Sequence, residues 1–394
     1  MTENIDVVVI GGGYAGVMAA NRLTQRDDVT VTLINPRPVF VPRLRLHQLV
    51  GGSHDAVVDY REILADGIRL VVDNVTRIDA AGRGIELASG GTVGYDHLVY
   101  AAGSVGAEPR VPGAAEFAHP IATLEAAQRL RSVLDAAPAT AEVTVVGGGP
   151  TGIETAAELG EQGRRVTLLC GGVLGPYLHP RARRTAAKRL ARLGVTVLDG
   201  PDTKATAVTQ HAVHLADGRE LPSEVTIWTV GFGVPDLAAR SGLSTDSAGR
   251  LLTDETLTSV DDERIVAAGD SAAPSDLPFR MSAYAAGCLG AHAADTVLNR
   301  IAGKRPAPID LSFPAMCISL GRHAAVFQLA GKDDTAKRLY VSGSAGAKLK
   351  EISCRFSVKH LMKEASKPGS HTWPKGDHRR QLLQAKPGTA STTA

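Results

Sequence analysis

Residues 143–154 read VTVVGGGPTGIE. A β-branched apolar run enters three glycines and opens a helical pattern, the local grammar of a buried strand turning into a helix. Gly147, Gly149 and Gly152 take the first, third and sixth places of GxGxxG, with Pro150 and Thr151 opening the helix. In such a turn the first glycine permits the bend and the second lets backbone N–H groups approach a pyrophosphate. The third lets helix and strand pack closely, while the helix N-terminus adds partial positive charge. The same phrase stands 136 residues earlier as VVVIGGGYAG, residues 7–16, with Gly11, Gly13 and Gly16 in the key places and Tyr14 and Ala15 between them. Each copy is followed by a second β-branched strand, at 29–34 and at 166–169. The chain thus reads as α/β, with two Rossmann-like units that each hold a dinucleotide.

Working outward, LVYAAG (98–103), VTIWTVGFG (225–233) and RIVAAGDS (264–271) are strands that end in small residues. They set the expected domains. Residues 1–112 with 253–308 form the first unit and 113–252 the second. Residues 309–380 form a C-terminal α+β region, and 381–394 are expected to be a disordered tail. Within the C-terminal region, strands are expected at 315–320 and 324–329 and a basic helix at 356–365. At 394 residues the chain has room for this, since a domain takes ~100–200 residues. Hydrophobic content of 44% and charge of 21% are those of a globular protein, and aromatics at 4% argue against a base-stacking nucleic-acid surface. The four cysteines are scattered with no CxxC, which fits a reduced cytoplasmic protein without zinc or disulfides. There is no signal-peptide pattern and no apolar run long enough to span a bilayer.

The ordered set VVVIGGGYAG, LVYAAG, VTVVGGGPTGIE, TVGFG and RIVAAGD resembles the two-dinucleotide flavoproteins. Among these it is most similar to type II NADH dehydrogenases and apoptosis-inducing-factor-like quinone reductases, over residues 6–329. The resemblance implies FAD in the first cradle and NADH or NADPH in the second. It places Asn35, Pro36, Arg37, Arg43, Val75, Ala101, Ala102, Gly103, Gly269, Asp270 and Ala283 along FAD, and Cys170, Val230 and Gly231 along the nicotinamide dinucleotide. The segment FVPRLRLHQLVGG (40–52) is similar to the one beside the isoalloxazine. It lacks the cysteine pair of disulfide reductases, so electrons must leave directly to a diffusible acceptor.

The resemblance makes Glu154 a carboxylate near nicotinamide and flavin; a first-turn acid favoured by the helix dipole is the plainer reading. His47 is a further catalytic candidate beside Arg43 and Arg45. Tyr284 replaces the usual wording of the quinone-side helix and either bonds a quinone carbonyl or packs on the flavin. Asn35 stands where a ribose-binding carboxylate is usual and serves as a weaker acceptor or as a turn residue. Cys170 likewise leaves no carboxylate to repel a 2′-phosphate, which Arg181, Arg183 and Arg184 would clamp unless they are a solvated face. The basic C-terminal stretch either rests on a membrane surface or is solvated; peripheral membrane contact and a homodimer are both compatible with the pattern. The expected activity is FAD-dependent NAD(P)H:acceptor oxidation by ping-pong hydride transfer, with a quinone as acceptor. Alternatives are a tailoring oxidoreductase acting on a small metabolite, or a regulatory protein sensing NAD(P)H through flavin.

Overall fold

The computed structural model describes residues 4–376 and 378–385. Two five-stranded parallel sheets carry the molecule. The first runs Ile265–Ala267, His97–Tyr100, Ile5–Ile10, Val29–Asn35, Arg69–Val72. The second runs Ala118–Pro120, Val225–Trp228, Glu142–Val146, Arg165–Leu169, Thr196–Leu198. The order is the same, but the edge strand of the first comes from late in the chain and that of the second from early. Both central strands are buried on both faces, as their unbroken valines predicted.

The two glycine turns lead into helices Tyr14–Leu23 and Pro150–Glu161. The first is three residues shorter than the apolar pattern extending to Arg26, because Thr24 caps it and its hydroxyl bonds back to Asn21 O. The helix Ala283–Ile301 crosses the first cradle helix so closely that a Cβ on Gly290 would lie 2.1 Å from Ala15 O. This contact brings the late strand and its Asp270 to the mouth of the first cradle.

The C-terminal region differs from expectation in three places. Its sheet has a third strand, Ala336–Ser342, pairing antiparallel with Ala325–Ala330 beside Ala315–Ser319. The basic helix is Gly343–Ser366, more than twice the expected length, and its first turn packs so tightly that a Cβ on Gly346 would meet Ala325 O at 2.3 Å. Residues 381–385 belong to a helix, His378–Ala385, whose Arg379 is buried against Glu255; the rest of the expected tail lies outside the described residues.

Candidate active site

The first cradle is braced from within. Gly11 N–H donates to Ile34 O at 2.8 Å, and Gly12 N–H donates to Asn35 Oδ1 at 2.9 Å. Asn35 Nδ2 donates to Arg37 O, and Tyr60 closes the turn by donating to Gly12 O at 2.7 Å. Both ends of the Asn35 amide are therefore engaged inside the chain, so it holds the loop rather than offering a free acceptor to a ribose. Pro36 follows in the same turn, and Arg37 leaves it to pair with Glu125. Val75 packs at the edge of the cluster containing Ile10 and Ile34.

A second group faces the cradle. Ala101 N–H donates to Ile10 O, and Gly103 N–H donates to Ser271 Oγ, with Ala102 between them. Gly269 takes φ +74° against the Ala15 methyl. Asp270 accepts from Ser104 Oγ at 2.6 Å, and Ser104 in turn accepts from Arg43 at 2.8 Å. Burial raises the Asp270 carboxyl, with Ser104 and Arg43 pulling the other way. Arg43 stands over the Phe232 ring.

In the second cradle Gly147 N–H donates to Leu169 O, and Thr229 Oγ1 donates to Val146 O. Val230 and Gly231 lie on the adjoining exposed rim. Cys170 packs on Gly148, its thiol pushed up to about 12 by burial and by nearby Asp199. Asp199 follows the neighbouring strand Thr196–Leu198. Arg181 and Arg184 border Tyr340 of the C-terminal sheet, and Arg183 donates to Leu178 O.

Glu154 is the centre of the site. It is buried with His47 and Lys350, at 7%, 3% and 6% exposure. Lys350 Nζ lies 2.7 Å from Glu154 Oε1, which also accepts from Ser319 N–H at 2.9 Å. His47 Nδ1 lies 3.6 Å from Glu154 Oε2. Burial pushes the Glu154 carboxyl up, but Lys350, His47 and the Ser319 N–H outweigh it and leave it below its ordinary value. Burial pulls Lys350 down, and Glu154 more than restores it. His47 is pushed down to about 4 by burial despite Glu154. At neutral pH the set is an ion pair with a neutral imidazole beside it. The C-terminal helix also reaches back through Glu351 to Arg45 at 3.0 Å and through Ser357 to the Tyr14 hydroxyl at 3.2 Å.

Sequence reasoning found Glu154 and His47 but passed over Lys350 as one of many surface cations. Its signal was the stripe Gly346, Lys350, Cys354, Leu361, the buried face of the helix. The hydroxyl of Tyr284 donates to Ser312 O at 3.0 Å and its ring packs edge-on to Phe313, so it ties the long helix to the C-terminal region. Ala283 packs at the edge of the first core.

Both cradles fit their cofactors. A Cβ on Gly13 or on Gly149 would meet nothing within 4 Å, so open room stands before each helix N-terminus where a pyrophosphate approaches. Two such cradles, with a sealed carboxylate–ammonium pair between the second cradle helix and the C-terminal helix, define a two-cofactor α/β oxidoreductase.

The chain belongs to the pyridine nucleotide-disulphide oxidoreductase family, whose profile matches residues 5–288. It is 30% identical to an NADH dehydrogenase-like protein of Mycobacterium tuberculosis, across 82% of this chain and 87% of that one. It is 28% identical to a type II NADH:quinone oxidoreductase of the same organism, covering 76% and 74%. The sulfide:quinone oxidoreductase of Aquifex aeolicus shares the fold at a TM-score of 0.77 and 20% identity, over 97% and 95% of the two chains. The protein is an oxidoreductase enzyme with FAD and a nicotinamide dinucleotide as cofactors.

Proposed function

We propose that the protein is an NAD(P)H:quinone reductase working by ping-pong. The observation that carries this is the buried Glu154–Lys350 pair: a fixed negative and positive charge beside the mouth of the second cradle, where no cysteine of residues 36–60 intervenes. Bound FAD supplies the two-electron chemistry between donor and acceptor. The chain supplies the rest. Gly11, Gly13, Gly16 and Asp270 hold one dinucleotide, and Gly147, Gly149 and Gly152 hold the other. Arg43, half-buried, bonded to Ser104 and acting electrostatically on Asp270, offers positive charge to an electron-rich ring. Lys350 offers an N–H donor and Glu154 a proton-exchanging carboxylate in a site closed to water, where such charges act strongly.

The C-terminal helix supports peripheral membrane contact. Ile352, Phe356 and Met362 are 48%, 49% and 41% exposed among Lys348, Lys359 and Lys363. Apolar side chains ringed by lysines suit an anionic lipid surface, where a quinone would be met. No described helix is long and apolar enough to cross a membrane.

Steady-state assays of the FAD-loaded protein with NADH, NADPH and soluble quinones test the reading. Turnover with a quinone well above that with oxygen is expected. NAD(P)H oxidation that no quinone accelerates would contradict it.

A further inference from the structure

Reduction of a quinone by a nicotinamide donor balances as NADH + H⁺ + quinone → NAD⁺ + quinol. Two electrons and one proton come from the donor, so one proton per turnover must come from water. Yet Glu154, Lys350 and His47 are all sealed from solvent. A path for that proton has to be built from side chains.

The short helix Leu46–Val50 lies beside the second cradle helix in register. His47 meets Glu154; one turn further along both, Gly51 meets Glu158, where a Cβ on the glycine would fall 2.3 Å from Glu158 Cγ. Residues four apart on a helix face are neighbours, about 5–6 Å between Cβ atoms. Glu158 is 2% exposed. Its Oε1 accepts from Ser53 Oγ at 2.5 Å, and Ser53 is exposed on the turn that follows. Among the described residues its Oε2 has no hydrogen-bond partner, and neither does His47 Nε2. Two unsatisfied buried polar atoms cost about 1–3 kcal/mol each if left bare. Set one turn apart on one helix pair, they have a common remedy, since buried water bridges such groups.

Resting on the quinone-reductase reading, we propose that a water joins His47 Nε2 to Glu158 Oε2, completing a proton route from solvent at Ser53 through Glu158 and His47 to Glu154. The step balances. Glu158 takes a proton from solvent at Ser53 and gives it through the water to His47 Nε2. His47 Nδ1 releases its proton to Glu154 Oε2, which passes it to the reduced acceptor and is again a carboxylate. Reorientation of the side chain about both of its torsions, which exchanges the places of the two ring nitrogens, readies the imidazole for the next proton. The environment of Glu158 suits the role. Burial raises its carboxyl towards proton uptake, Ser53 and Arg322 oppose that, and Glu161 and Glu154 reinforce it. The low affinity of His47 for a second proton keeps the imidazolium transient.

Glu158→Gln keeps the size and the Ser53 bond but cannot carry a proton. In the FAD-loaded protein it should leave reduction by NADH within twofold of wild type. It should slow reoxidation by a quinone about tenfold, less than the roughly 10²–10⁴-fold of a direct general acid because Glu158 acts at a remove. It should also enlarge the solvent deuterium isotope effect on that half-reaction, and small diffusible carboxylic acids should restore the rate. Glu158→Asp, which retains a carboxyl, should keep most of the rate. Independently of turnover, the nitrogen NMR signal of His47 Nε2 in the oxidised protein should move as Glu158 titrates and stand still in Glu158→Gln. Unchanged reoxidation and isotope effect, or a His47 signal indifferent to Glu158, would overturn the route. A wild type that no quinone reoxidises would instead overturn the function on which it rests, while the His47 measurement would still decide whether the link exists.

Discussion

Lys350 and Glu154 hold each other charged in a place where neither would stay charged alone. Removing one leaves the other buried and uncompensated, so Lys350→Met should destabilise the fold by about 3–5 kcal/mol in urea titrations. The double variant Glu154→Gln with Lys350→Met should recover most of that loss while staying inactive; equal loss in single and double variants would show that the pair is not coupled. His47 makes its own demand. Its folded pKa of about 4 lies below the unfolded value near 6.5, so unfolding takes up a proton between those two. That contribution is fully present above about pH 6.5 and is lost as pH falls towards 4, amounting to about 3 kcal/mol. His47→Gln should flatten the stability profile across that window. Asp199 acts electrostatically on Cys170. A 2′-phosphate held several ångströms from it would be repelled by about 1 kcal/mol, so Asp199→Asn should raise kcat/KM for NADPH over NADH several-fold. An unchanged ratio would place the ribose elsewhere.

Among the elements, the two cradles and their strands were legible in the sequence because everything that makes them is local. The glycines, the β-branched runs and the helix periodicity lie within thirty residues of one another, and they appear where the pattern placed them save for the end of the first cradle helix. The C-terminal helix was half-legible. Its first turns, Gly-Ser-Ala-Gly, lie outside the expected helix, and Gly346 there sits too close to the Ala325 carbonyl to carry a side chain. Lys350 stood on a legible stripe of the helix, but its pairing was not legible, since its partner Glu154 is remote in sequence. Tyr284 and Asn35 were each open between a ligand role and a role within the chain, and each makes hydrogen bonds to the chain itself. The crossing of the first cradle helix with Ala283–Ile301 sets how the first cradle is held. Gly290→Ala should push against Ala15 O, cost about 1–3 kcal/mol by overpacking, and loosen FAD. Thermal melts with flavin content measured on the same samples check this; a stable variant with full flavin would refute it.

At the scale of the molecule, two cradles of the same design serve different ends because a third element closes only one side of them. The C-terminal helix contacts the first cradle helix through Ser357 and Glu364 and the second through Lys350, so one rod senses both units. Its outward side carries Ile352 and Phe356, which fits a protein that works at a lipid surface without entering it. Replacing both with glutamate should abolish co-sedimentation with anionic vesicles while leaving turnover with a water-soluble quinone intact. The central claim is that electrons enter from a nicotinamide and leave directly to a quinone. It is tested most directly by anaerobic stopped-flow spectroscopy of the FAD-loaded protein, mixing first with NADH and then with a soluble quinone. The account predicts that the flavin band bleaches on the first mixing and returns on the second, fast enough to support turnover, with the return slowed by Glu154→Gln. A flavin that NADH bleaches and no quinone restores would contradict it.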